Sequence, residues 1–171
     1  MHIIKHFNKK FEKDYFFIQG IVDIDENYFI EKIKNNFSKE LSNTTNIRGQ
    51  MTDWKTFNKD PKFLQLCFKF MDYLDDNHKL NNYRLEDSWG YKIGFREKTT
   101  NHCHSGNIAA GVLYLNNHPQ TLDFHEINQK IKPEKGAFAL FSPVLQHECK
   151  INISPDPKWG IAFNFKENRT W

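Results

Sequence analysis

"KWGIAFNF", residues 158–165, alternates between two kinds of side chain. Lys158, Gly160, Ala162 and Asn164 fall on one side of an extended chain and Trp159, Ile161, Phe163 and Phe165 on the other, because successive strand residues point to opposite faces. The large apolar face needs an apolar layer to pack on. The other face holds small residues, one cation and one amide. Such a face suits either a cavity wall or an ordinary solvated surface, since polar-outward alternation is common in antiparallel sheets.

Two helices upstream are the natural partners of the apolar face. Asp25 is placed to cap a helix on which Phe29, Ile33, Phe37 and Leu41 recur every four residues. Asp60-Pro61 opens a second helix, an N-cap followed by proline in the first turn, with Phe63, Leu64, Cys67, Phe68, Met71 and Leu74 along it. Both read as packing helices without chemistry of their own. From about Tyr83 the chain changes to short aromatic and β-branched segments: "RLEDSWGYKIGF", "NHCHS", "AAGVLYLN", "TLDFHE", "GAFALFS", "LQHECKINI" and then "KWGIAFNF". "NNHPQ" and "PEKG" supply turns between them. The expected class is α+β, a double-stranded β-helix (jelly roll) braced by N-terminal helices. The 171 residues are expected to form one domain, with 1–82 mainly helical support and 83–166 the jelly-roll core.

Composition excludes several classes of function. Apolar residues at 39% and charged residues at 26% describe a chain that folds in water. No segment reaches the roughly 20 apolar residues that span a bilayer. "MHIIKHFNKK" has no long apolar run, and a cytoplasmic location is expected. Cys67, Cys103 and Cys149 are odd in number and lack CxxC spacing, which argues for free thiols rather than disulfides or structural zinc. A net charge of +3 is far from the clustered basic footprint of a dedicated nucleic-acid binder.

The chemistry-bearing residues are the histidines. His102 and His104, in "NHCHS", present two imidazoles to one side of a strand, the local geometry of a metal site. Taken alone, that spacing fits a surface or hydrogen-bonding role as well. His147, in "FSPVLQHECK", is the distant third candidate, since a jelly roll brings remote strands side by side. Cys149 shares its face and reads as a small packing residue. His125 and Glu126 form a weaker set, and His2, His6, His78 and His118 are expected to face solvent.

From about residue 84 to residue 166 the chain resembles the Fe(II)- and 2-oxoglutarate-dependent oxygenases, particularly the small prolyl-hydroxylase-like proteins of bacteria and their viruses. The resemblance rests on an HxH at 102–104 where the family has HxD, the following "GVLYLNN", "IKPEKGAFALF" at 131–141, His147 as the distal metal histidine, and "KWGIAFNF". The gap from His147 to Lys158 is close to the family's gap between its distal histidine and the basic residue that holds the far carboxylate of 2-oxoglutarate. "RGQMTDW", residues 48–54, carries no chemical signature.

The resemblance implies a metal set of His102, His104 and His147 for Fe(II), with Lys158 and Tyr114 binding the cosubstrate 2-oxoglutarate. It implies O₂-dependent hydroxylation of an unknown substrate, whether a protein side chain, a nucleobase or a small metabolite. His104 departs from the family pattern, which has a carboxylate there. Either three histidines form the metal face, or Asp123 of "TLDFHE" supplies the carboxylate from a neighbouring strand. Two other classes share the scaffold: a cupin-like three-histidine dioxygenase without cosubstrate, and a non-catalytic jelly-roll binding module.

Overall fold

The structure is a computed structural model that describes residues 1–10 and 14–168. Twelve strands and two helices follow in the order β1 (His2–Lys10), β2 (Asp14–Ile21), α1 (Glu26–Lys34), β3 (Ile47–Arg48), β4 (Gln50–Met51), α2 (Pro61–His78), β5 (Tyr83–Ile93), β6 (Lys98–His102), β7 (Ala109–Tyr114), β8 (Leu122–Phe124), β9 (Gln129–Ile131), β10 (Ala137–Phe141), β11 (His147–Cys149) and β12 (Lys158–Glu167). A seven-stranded sheet runs β1-β2-β10-β7-β12-β5-β4, and a five-stranded sheet runs β3-β6-β11-β8-β9. Every strand pairing is antiparallel. This is the expected jelly roll, with helices against one face of the larger sheet.

The alternation of β12 divides the protein into two cores. Ile161, Phe163 and Phe165 pack with Phe29, Ile33, Phe63, Phe70 and Leu74 from the helices. The rings of Phe70 and Phe163 stack at 5.5 Å and 3°. On the opposite face, β12 pairs Gly160 with Tyr91 and with Tyr114, and Ala162 with Trp89 and with Val112. Directly paired antiparallel residues point to the same side, so these residues form the wall that looks toward the smaller sheet. Gly160 must be small, because a Cβ there would meet the Tyr91 ring.

Helix α2 begins where expected: Asp60 caps it by accepting from Phe63 N at 2.9 Å, with Pro61 in the first turn. Helix α1 starts at its Asp25 cap but ends at Lys34, short of Phe37 and Leu41. Asn35 and Asn36 follow, and Asn36 Nδ2 donates back to Lys32 O at 2.8 Å, the local competition with the helical ladder that makes asparagine a stop. Phe37 instead bridges to Thr52 as an extended residue.

The N-terminal 82 residues, expected to be mainly helical support, also contribute strands. β2 pairs with β10 in the larger sheet and β1 covers β2 at its edge. No described helix is long and apolar enough to cross a membrane.

Candidate metal and anion site

β6 and β11 lie side by side with His102 directly opposite His147, so both imidazoles face the space between the sheets, ring centroids 4.3 Å apart. His104 arrives differently from the expected way. β6 ends at His102, and His104 lies beyond it in a turn held by its backbone N–H donating to Pro143 O at 2.7 Å. The side chains still converge: one ring nitrogen from each of His102, His104 and His147 lies within 4.8 Å of the others. This is the only group of three or more metal-ligating side chains among the described residues.

Backbone carbonyls set the tautomers. His102 Nδ1–H donates to Thr100 O at 2.8 Å, and His147 Nδ1–H donates to Leu145 O at 2.9 Å. Carbonyls only accept, so both rings carry their proton on Nδ1 and turn the Nε2 lone pair inward, the usual orientation of a metal-ligating histidine. Nε2 of His104 and Nε2 of His147 stand 3.3 Å apart, a contact that requires a proton or a cation between them. Burial pushes the pKa of His104 and of His147 down to about 3, with neighbouring histidines adding to the effect. Burial also lowers His102. Three neutral imidazoles at neutral pH suit a first-row transition metal.

A buried cation lies against β11, the strand that carries His147. Lys158 is fully buried at the start of β12. Its Nζ donates to Cys149 Sγ at 3.1 Å and to Gln120 O at 3.4 Å, and lies 5.9 Å from the Tyr114 ring centre. No carboxylate among the described residues forms an ion pair with it. A buried ammonium with only neutral partners is costly and calls for an incoming negative charge. Tyr114 is also fully buried, and its hydroxyl has no well-formed hydrogen bond; the phenol of Tyr91 is its polar neighbour. Desolvation holds the Tyr114 hydroxyl protonated and ready to donate. Cys149, read as simple packing, is thus a contact of the buried cation.

A cavity of about 140 Å³ is lined by His102, His104, His147, Tyr91, Tyr114 and Cys149 among others. That is close to the ~150 Å³ that admits a benzene-sized molecule.

The remaining candidates lie elsewhere. Asp123 pairs with Glu148 on β11, and so points to the side opposite His147 and Cys149. There it accepts from Thr121 Oγ1 at 2.5 Å and stands 3.4 Å from Lys130 Nζ, outside the metal group. His125 and Glu126 are exposed, and His125 contacts Glu148 at 2.9 Å. His118 is not solvent-facing: it is buried, its Nε2–H donating to Asp156 O at 2.9 Å while Nδ1 accepts from Gln120 N at 3.0 Å, which secures the loop beside Lys158. His6 and His78 are half-buried against each other at 5.0 Å, with Tyr73 bonded to His6; His2 is exposed as expected. Sequence reasoning missed Trp89 and Trp54, which line the cavity opening. The alternation of "SWGYKI" was the available signal for Trp89, since it places that residue with Tyr91.

No family model matches this sequence, and no curated protein matches it. Solved structures with the same fold do. A viral collagen prolyl hydroxylase from Paramecium Bursaria Chlorella virus-1, in complex with 2-oxoglutarate, superposes with a TM-score of 0.69 at 18% identity, covering 90% of this chain and 96% of that one. A Pseudomonas putida prolyl-4-hydroxylase gives 0.66 at 11% identity, covering 90% and 93%. HygX from Streptomyces hygroscopicus, with nickel and 2-oxoglutarate bound, gives 0.67 at 11% identity, covering 89% and 83%. The chain shares their fold.

Proposed function

We propose that the chain is a non-haem Fe(II)- and 2-oxoglutarate-dependent oxygenase that hydroxylates an organic substrate. The observation that carries the reading is the closeness of two complementary groups, a cluster of imidazoles lining a cavity and a buried lysine against the Tyr114 and Cys149 wall of that cavity. Three neutral imidazoles converge in the cavity, and the fully buried Lys158, without a carboxylate partner, lies behind Cys149 and Tyr114. A metal chelated by a dicarboxylate keto acid would meet both needs at once. The shared fold with structures that hold 2-oxoglutarate agrees with it.

On this reading His102, His104 and His147 hold Fe(II), with Thr100 O and Leu145 O keeping two of the rings in the ligating tautomer. Fe(II) and the cosubstrate supply O₂ activation, coupling decarboxylation of 2-oxoglutarate to oxidation of a C–H bond. Lys158 anchors the far carboxylate as a point charge, and the Tyr114 hydroxyl donates to the same group. The apolar walls of Val112, Leu122 and Phe141 limit water around the reacting groups. The three cysteines are free, which supports a reducing cytoplasmic setting.

The test is an anaerobic titration with Fe(II) and 2-oxoglutarate. A visible charge-transfer band is expected; metal binding with no such band rejects the cosubstrate. The all-histidine ligand set favours one second reading, a three-histidine dioxygenase that needs no cosubstrate. O₂ consumption with no dependence on 2-oxoglutarate would establish it.

A further inference from the structure

Besides the Tyr114 hydroxyl, two polar atoms on the cavity wall have no protein partner: the indole nitrogen of Trp89 and the side-chain oxygen of Asn164. Each residue is only 4% exposed. Folded proteins leave few buried donors or acceptors unmet, so two on one wall ask for a ligand. One is a donor and the other an acceptor. Asn164 Nδ2 donates to Asp87 Oδ1 at 2.7 Å, which fixes the amide orientation and leaves Oδ1 for the cavity.

The register brings the two together. Ala162 pairs with Trp89, and Asn164 is the next residue on that face of β12. They are diagonal neighbours, with backbones roughly 7–8 Å apart. The Trp89 ring also lies 6.3 Å from the His104 ring, and Trp54 crosses it edge-on at 4.8 Å with 41% of its surface exposed at the opening. Thr45 and Asn46 complete that side. No Asp, Glu, Lys or Arg lines the cavity among the described residues. Lys158 is six positions from Asn164 along β12, a span of roughly 20 Å on an extended strand, so the buried ammonium lies far from this part of the cavity.

We propose that this end of the cavity binds a neutral carboxamide group of the substrate. The Trp89 indole N–H donates to the amide oxygen, Asn164 Oδ1 accepts from the amide N–H, and the flat group lies among the indoles beside the metal histidines. An ionised substrate group here would lose its hydration and gain no opposite charge. Trp89 and Asn164 are therefore specificity-determining residues. The assignment rests on the oxygenase reading for its catalytic meaning.

The experiment follows the indole N–H resonances of the full-length protein, with Trp89 identified by the peak lost in Trp89→Phe. The probes are N-methylacetamide and its charged counterparts, acetate and methylammonium. A saturable shift of the Trp89 resonance by the amide is expected, with the two ions at least about tenfold weaker. Trp89→Phe, read on the Trp54 resonance, should weaken the amide by about tenfold, the loss of one hydrogen bond. No saturable shift, or equal binding of the ions, overturns the assignment. The anaerobic chelate band is an independent readout. A band without the amide shift rejects the carboxamide site alone, whereas the shift without a band rejects the oxygenase reading and retains the binding site.

Discussion

Lys158 and Cys149 meet across the sandwich, the ammonium at the head of β12 donating to the thiol at the end of β11 over 3.1 Å, with both side chains buried. A thiol is a weak acceptor, so this contact relieves little of the cost of burying a cation. Replacing Lys158 by methionine removes the charge at similar length. We expect the unliganded protein to gain stability by about 1 kcal/mol or more, by the same logic that lets apolar residues replace buried ions. The variant should lose at least about tenfold in affinity for 2-oxoglutarate, since a hydrogen bond to a charged group contributes roughly 1.5–3 kcal/mol. Thermal unfolding with and without 2-oxoglutarate measures both, and a less stable unliganded variant contradicts the account.

The metal set makes a second prediction. His102→Ala and His147→Ala should each weaken metal binding by more than the roughly 10–100-fold that follows loss of an outer hydrogen-bond partner. Asp123→Asn should leave metal affinity unchanged, because Asp123 faces away from the histidines. His104→Asp, which restores a carboxylate, should still bind Fe(II). Calorimetry with each variant decides, and a loss of binding in Asp123→Asn alone would return Asp123 to the site.

Acid should weaken the metal-free fold. Burial is the main cause that lowers the pKa of His78, His102, His104, His118 and His147 below the ordinary value. Between that value, about 6.5, and the folded values, which fall to about 3 for His104 and His147, the unfolded chain binds more protons than the folded one. Stability is therefore complete above about pH 6.5 and declines as pH falls. Urea midpoints in the presence of a chelator should drop through this window; a flat profile removes the histidines from the balance.

The Phe70–Phe163 stack joins α2 to the larger sheet. Phe163→Ala should cost roughly 3–5 kcal/mol, the range for truncating a buried aromatic. A loss below 1 kcal/mol, read from denaturant midpoints, would show that the helices contribute little to the sheet.

Much of this was legible in the residues. The period-two pattern of β12 foretold its packed apolar face and left its small-residue face open between cavity and solvent, and the Asp60-Pro61 pair foretold the start of α2, because there a local rule and the tertiary packing agree. The strand argument for His104 did not survive: a turn held by Pro143 O, invisible in the sequence, carries that side chain to the cavity. β1 and β2 were also missed. β2 is placed by pairing with β10, more than a hundred residues away, and β1 by pairing with β2, rather than by a pattern of their own. His118 was mistaken for a surface group because its two hydrogen bonds come from a loop whose path no periodicity describes.

The histidines belong to the smaller sheet and its adjoining turn, while Lys158 and Tyr114 belong to the larger one. A molecule held by both groups is therefore a rivet through the two layers, and its binding energy becomes resistance to their separation. Amide exchange on β11 and on β12 should slow together when the cavity fills, although the two strands share no backbone hydrogen bond.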